Sequence, residues 1–109
     1  MQEINVSDPW FLLIKKRKKR IEGRLNKGTF ANLKKDDIIK FKNNDSFFMA
    51  KIIKIIKYST FEEYLSQEGL ARTLPGIKTI KEGIDIYYKY YTPEQEKEFG
   101  ILAIYVKLL

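Results

Sequence analysis

Between residues 20 and 25 the chain alternates, with Arg20, Glu22 and Arg24 on one side and Ile21, Gly23 and Leu25 on the other. A period of two predicts a short strand over 20–25 with one buried face. Two further strands, rich in Ile and Phe, are expected over Asp37–Lys42 and Phe47–Tyr58, joined by a hairpin turn at Asn43-Asn44-Asp45-Ser46. The second contains AKIIKIIKYS, whose repeat is neither pure period two nor helical. A helix gathering Ile52, Ile55 and Ile56 is the competing solution, but β-branched residues favour a long bent or bulged strand. Ile101–Leu108 is the last strand, and its apolar depth suggests a central place in a sheet.

Helical periodicity fills the intervals. Ser7-Asp8-Pro9 reads as a capped start to a helix over residues 9–19, with Trp10, Phe11, Leu13 and Ile14 as its stripe. Its positive charges lie at the C-terminal end, where the helix dipole favours them. Lys27-Gly28 turns the chain. Two overlapping capping boxes, Ser59 with Glu62 and Thr60 with Glu63, open a helix to about Gln67 that buries Phe61, Tyr64 and Leu65 and ends at Gly69. After a turn at Thr73-Leu74-Pro75-Gly76, Thr79 with Glu82 opens a helix to about Tyr90. Its stripe holds Ile80, Ile84, Tyr87 or Tyr88, and Tyr91. Thr92-Pro93-Glu94-Gln95 starts a short helical turn closed by Gly100. The order is helix, three strands, two helices, strand, with no βαβ series. It predicts an α+β fold over residues 1–109: a small mixed or antiparallel, barrel-like sheet with flanking helices, as one domain.

Composition narrows the chemistry. The 109 residues contain no cysteine and no histidine, which removes disulfides, thiol catalysis, zinc sites of the usual kind and imidazole mechanisms. Carboxylates, Lys, Ser/Thr and Tyr remain. No stretch approaches eighteen uncharged apolar residues, so no membrane span or membrane partner is expected. MQEINVSDPWFLLI followed by KKRKKR has the wrong order for a secretory signal. A soluble cytoplasmic protein is the expectation, although the basic run also fits a nuclear signal.

Charge is unevenly placed. Residues 1–58 carry 15 basic and 6 acidic groups, whereas residues 59–109 carry 6 and 8. A polyanionic partner on the N-terminal half is therefore favoured. The run Lys15, Lys16, Arg17, Lys18, Lys19, Arg20 is a phosphate patch or a solvated face, and carries no sequence specificity by itself.

The most specific local feature is Lys19-Arg20-Ile21-Glu22-Gly23-Arg24. On a strand, Glu22 and Arg24 point the same way, and Lys19 at the helix–strand junction can curl to that side. A carboxylate between cations is a poor general acid, but can accept hydrogen bonds from a base amino group or orient Arg24 towards phosphate. The plain alternative is a solvated ion pair on a sheet face. Arg72 and Thr73, before the Pro75-Gly76 turn, are candidates to reach the same site, while Trp10 either stacks a base or packs in the core. The cluster Tyr87, Tyr88, Tyr90 and Tyr91 reads mostly as packing.

Lys19-x-x-Glu22-x-Arg24 after a short helix resembles the signature of the ASCH domain family, within the PUA-like superfamily. The resemblance extends through Leu33–Phe41, Phe61–Leu70, Leu74-Pro75-Gly76, the helix with Tyr87, Tyr88 and Tyr91, and Gly100–Ile104. Two positions depart from it: Arg17 and Asp36 stand where the family usually has Gly. The resemblance implies a small β-barrel with flanking helices and a cleft lined by Lys19, Glu22 and Arg24 that binds RNA. A bacterial branch comprises N4-acetylcytidine amidohydrolases, matched here at Lys19 and Arg24, but its nucleophilic Thr falls on Glu22, which cannot serve the same covalent route. Its acidic partner has no clear counterpart near Leu74-Pro75-Gly76, the nearest preceding acid being Glu68.

The expected function is a module binding RNA or a modified nucleotide through a basic cleft of Lys19, Glu22 and Arg24, aided by Arg17, Lys18, Arg20, Arg72 and Thr73. DNA and a protein partner stay open. The enzymatic alternatives are amidohydrolysis of N4-acylated cytidine, or a ribonuclease, with Lys19 and Glu22 catalytic. One carboxylate flanked by cations is a poor divalent-metal site, so neither metal nor cofactor is expected.

Overall fold

The computed structural model describes residues 2–109. Their elements are β1 (Gln2–Asn5), α1 (Trp10–Lys15), β2 (Ile21–Leu25), a 3₁₀ turn (Gly28–Asn32), β3 (Ile38–Asn43) and β4 (Ser46–Tyr58). There follow α2 (Phe61–Glu68), α3 (Leu70–Thr73), α4 (Ile80–Tyr87), α5 (Pro93–Phe99) and β5 (Ile101–Leu108). The strands form one curled, half-barrel sheet in the order β1-β3-β4-β5-β2, so the expected α+β architecture with flanking helices is present. All pairings are antiparallel except that of β1 with β3.

Local chemistry explains most of these elements. The β3–β4 hairpin closes through Asn44-Asp45, with Asn44 in the left-handed region (φ 55°) that Asn tolerates. β4 is a long strand interrupted by a bulge between Ile52 and Lys54, and the extra residue bends it and coils the sheet. Thr60 caps α2 by accepting from the Glu63 amide, Thr79 caps α4 through the Glu82 amide, and Thr92 and Gln95 form a complete capping box on α5.

β5 is interior and buried on both faces. Leu102 and Ile104 join Ile4, Ile39, Phe41 and Ile52 in one core, under α1. Ile101 and Ala103 join Ile21, Phe61, Tyr64, Leu65 and Tyr87 in the other, under α2 and α4. Trp10 packs against both.

Several expectations are corrected. Strand β1 is not expected from the pattern; Ile4 is its one buried residue, and its parallel partner β3 lies more than thirty residues away. Helix α1 ends at Lys15 instead of residue 19, and neither Ser7 nor Asp8 caps it, since Pro9 holds the N-cap with no side-chain bond. The early stop is a Schellman closure: the Lys18 amide donates to the Leu13 carbonyl and the Arg17 amide to that of Ile14, both at 2.9 Å. Arg17, at φ 64°, occupies the left-handed position that glycine usually fills, and Asp36 does likewise at φ 75°. Both are the positions that depart from the family pattern. Helix α4 ends at Tyr87 instead of Tyr90, and a separate turn of helix, α3, precedes the Leu74-Pro75-Gly76 turn.

The order of strands leaves β1 and β2 as the two edges of the sheet. Its curl brings them face to face, and Arg24 Nη2 of β2 donates to the Asn5 carbonyl of β1 at 2.7 Å.

Candidate functional site

The gap between the two edges is a cleft of about 110 Å³. Asn5, Val6 and Ser7 line it from the β1 side, and Glu22, Gly23 and Arg24 from β2. Lys19 and Trp10 also line it, and Tyr87, Tyr90 and Tyr91, with Ile86 beside them, supply an aromatic wall.

Glu22 and Arg24 share the sheet face of their partners Ile104 and Leu102 and so turn into the barrel interior. The polar side of the alternating segment is thus covered, with Glu22 at 7% exposure, in place of the solvated face that period two alone suggests. Glu22 Oε2 accepts from Arg24 Nε at 2.8 Å and pairs with Nη2 at the same distance. Lys19, 2% exposed, points the same way with Nζ 3.4 Å from Glu22 Oε1. Its remaining protons go to the carbonyls of Ile21, at 2.6 Å, and of Thr73.

These charges set one another's ionisation. Burial pushes Glu22 up, but the positive charges of Arg24 and then Lys19 outweigh it and hold the carboxyl below its ordinary range. Burial depresses Lys19, with Glu22 opposing. Arg24 is raised: desolvation works against it, and the Glu22 charge overcomes that. Burial raises Tyr87 and Tyr91, so both hydroxyls stay protonated at neutral pH. The site therefore holds a carboxylate between two cations, and the carboxylate is in a position to accept.

Lys19, Glu22 and Arg24 are thus brought together as the motif suggests. The other candidates lie apart. Arg17, Lys18 and Arg20 are exposed, and Arg17 and Arg20 line a second hollow with Lys107 on the other side of Lys19. The six-charge run is consequently split, its fifth member buried inward and the others solvated. Thr73 contributes its carbonyl, not its hydroxyl, which donates to Gly69. Arg72 turns away to Glu68, at 3.2 Å, and lies over the Tyr105 ring. Glu68 is buried and accepts from Tyr58, Tyr105 and Arg72, outside the cleft.

The aromatic wall, with Asn5 and Ser7, is the part that reading the residues in order misses. Tyr90 and Tyr91 sit in the turn that follows α4, off any helical stripe. Their signal is their density beside the turn rather than a period. Among the described residues no helix is long and apolar enough to cross a membrane, and no group of three Asp or Glu is placed to hold a metal ion.

The ASCH domain model matches residues 4–109. The chain is 37% identical to hypothetical protein PH0355, whose crystal structure superposes with a TM-score of 0.93 over 99% of this chain and 98% of that one. It is 38% identical to protein PF0455 from Pyrococcus furiosus, whose solution NMR structure gives a TM-score of 0.83 over 99% of this chain and 96% of that one. Among curated proteins none matches. A family match over almost the whole length, together with the same fold in the structures it resembles, means that the chain belongs to the ASCH domain family.

Proposed function

We propose that this protein is a binding module for RNA, taking one nucleotide of a strand, modified or not, into the cleft between β1 and β2. The observation that carries the reading is the floor of the cleft: an ionised carboxylate, locked by Arg24 and Lys19, set under aromatic side chains. A planar base fits such a slot, stacking on Trp10 or Tyr91 and giving an N–H to Glu22. Arg24 at the edge favours a phosphate beside it, and the exposed Arg17, Lys18 and Arg20, outside the cleft, favour a backbone that runs on past it.

The enzymatic alternatives draw less support. Lys19 has its three N–H groups directed at two carbonyls and the Glu22 carboxylate, which favours the ammonium and leaves no lone pair for a general base. Glu22, held below its ordinary range, is a poor proton donor.

The test is fluorescence anisotropy with single-stranded RNA, duplex RNA and duplex DNA across a range of salt. Expected is a preference for single-stranded RNA that survives high salt, weakened about tenfold or more by Glu22→Gln and by Arg24→Ala. Equal binding to all three that vanishes with salt would reduce the interaction to the exposed basic run. Affinity unchanged in both variants would remove the cleft from it.

A further inference from the structure

Tyr64 is wholly buried, and among the described residues the only partner of its hydroxyl is the Tyr87 hydroxyl, at 3.1 Å. A phenol has one proton to give, and its oxygen can accept as well. If Tyr87 donated to Tyr64, the Tyr64 proton would be stranded in the core without an acceptor, at the full cost of a buried unmade hydrogen bond. If Tyr64 donates instead, its own requirement is met and the proton of Tyr87 is released for another acceptor. Tyr87 lines the cleft. Gly23 leaves room for this pair: a Cβ there would stand 2.7 Å from the Tyr64 oxygen and 2.8 Å from that of Tyr87.

On the other side of the floor, Glu22 Oε2 is taken by Arg24, while Oε1 has only the ion pair with Lys19 at 3.4 Å. Glu22 lines the cleft, and a carboxylate oxygen with one long contact keeps lone-pair capacity to accept from a ligand.

We propose that Tyr64 fixes the direction of the Tyr87 hydroxyl, so that the cleft presents a permanent donor at Tyr87 and a permanent acceptor at Glu22 and selects a planar heterocycle whose edge carries an acceptor next to an N–H. Tyr64 is then a positioning residue for specificity, although it touches no ligand. The ligand half of this inference rests on the nucleotide reading; the direction of the proton does not. Without Tyr64, the Tyr87 oxygen is free to accept or to donate, and edges of opposite polarity gain entry.

Two measurements on the full chain test it. The first needs no ligand: proton NMR should find one slowly exchanging tyrosine hydroxyl, that of Tyr64, close to the Tyr87 ring and absent in Tyr64→Phe. A protected hydroxyl belonging to Tyr87, or none at all, overturns the proposal. The second is calorimetric titration with the four ribonucleoside 5′-monophosphates. Tyr87→Phe should weaken the preferred nucleotide roughly tenfold, the equivalent of one hydrogen bond. Tyr64→Phe, which keeps the ring, should retain that nucleotide within about fivefold while compressing the spread among the four. An unchanged order and spread in Tyr64→Phe would overturn the fixed donor and leave the nucleotide reading standing. Wild type binding none of the four, with the Tyr64 proton where expected, would overturn the ligand class and the nucleotide reading together, and leave only the hydroxyl geometry.

Discussion

Glu22→Gln tests the electrostatics of the cleft directly. The amide keeps the shape of the side chain and an oxygen for Arg24, but removes the anion from between a Lys19 side chain 1% exposed and an Arg24 side chain 17% exposed. Breaking a buried pair by deleting one partner costs about 3–5 kcal/mol, and Arg24 can relax towards water, so a loss of about 2–4 kcal/mol is expected at neutral pH. For a domain of this size that lowers Tm by roughly 8–16 °C. The dependence on pH is more diagnostic. Glu22 titrates below its ordinary value of 4.5 in the folded state, so its contribution is complete above 4.5 and is lost as pH falls through the folded value. The wild type therefore falls towards the variant in acid. Lys19 is depressed below 10.5, and losing Glu22 depresses it further. Between a depressed folded value and 10.5 the unfolded chain holds the extra proton, so stability rises with pH, and the variant recovers on the alkaline side. The difference between the two proteins should thus be a dome, falling in acid below 4.5 and again on the alkaline side as pH approaches 10.5. Urea unfolding followed by the fluorescence of Trp10, the single tryptophan, reads it well, because the Lys19 ammonium lies 6.0 Å from that ring. A difference that is flat with pH, or below about 1 kcal/mol at neutrality as for a surface pair, would refute the reasoning.

Three further outcomes follow from the geometry. Gly23→Ala drives a methyl into the Tyr64 and Tyr87 hydroxyls, with Tyr64 wholly buried and the Tyr87 ring held by Phe61 stacked at 4.5 Å; overpacking plus a lost hydrogen bond should cost about 2–4 kcal/mol by urea unfolding. Stability within about 0.5 kcal/mol of wild type would mean that those rings yield. Arg17→Gly relieves a left-handed arginine at φ 64° and should stabilise the fold by about 1 kcal/mol. Asp36→Gly should gain less, since Asp tolerates φ 75° better and the exposed Asp36–Lys51 pair is lost; a loss in Arg17→Gly would contradict the Schellman assignment. Glu96 accepts the Phe61 amide and the Tyr88 hydroxyl, both at 2.6 Å. Tyr88 is pushed up to about 12, chiefly by that hydrogen bond and then by burial. Glu96→Ala should bring Tyr88 back towards 10.0 in a site-resolved NMR titration and cost about 1–3 kcal/mol by stranding the Phe61 amide.

How much of this was legible in the sequence depends on how local each cause is. The hairpin at Asn44-Asp45, the bulge in β4 and the caps at Thr60, Thr79 and Thr92 are decided within a few residues, and the pattern announces them. Strand β1 is not, because its four residues become a strand only by pairing in parallel with β3, a contact no local period encodes. The stop of α1 at Lys15 was hidden because its usual marker, glycine at the left-handed position, is replaced by Arg17 in the middle of a basic run. Lys19, Glu22 and Arg24 were legible as a group through spacing and family resemblance. Their burial was not, since a period-two segment sends its polar side to solvent unless another sheet edge covers it. The aromatic wall was visible only as a tyrosine-rich stretch, because Tyr90 and Tyr91 are placed by the turn that ends α4.

The unclosed barrel joins these points. Direct pairing of β1 with β2 would satisfy the backbone groups of both edges and leave no cleft. Instead, one side-chain bond from Arg24 to the Asn5 carbonyl spans the gap, and the guanidinium is held in place by Glu22, which is held in turn by Lys19. As a device for stability this is weak, since apolar side chains in the same space often serve as well as a buried ion group. For the binding proposed above it is economical, because the residues that keep the edges together are the ones that would present charge and hydrogen-bonding groups to a ligand between them. A ligand that neutralises the rim or donates a hydrogen bond to the Glu22 carboxylate therefore strengthens the link between β1 and β2. Binding in this cleft should accordingly raise the protection of the β1 and β2 backbone amides against hydrogen exchange more than that of the interior strands β4 and β5.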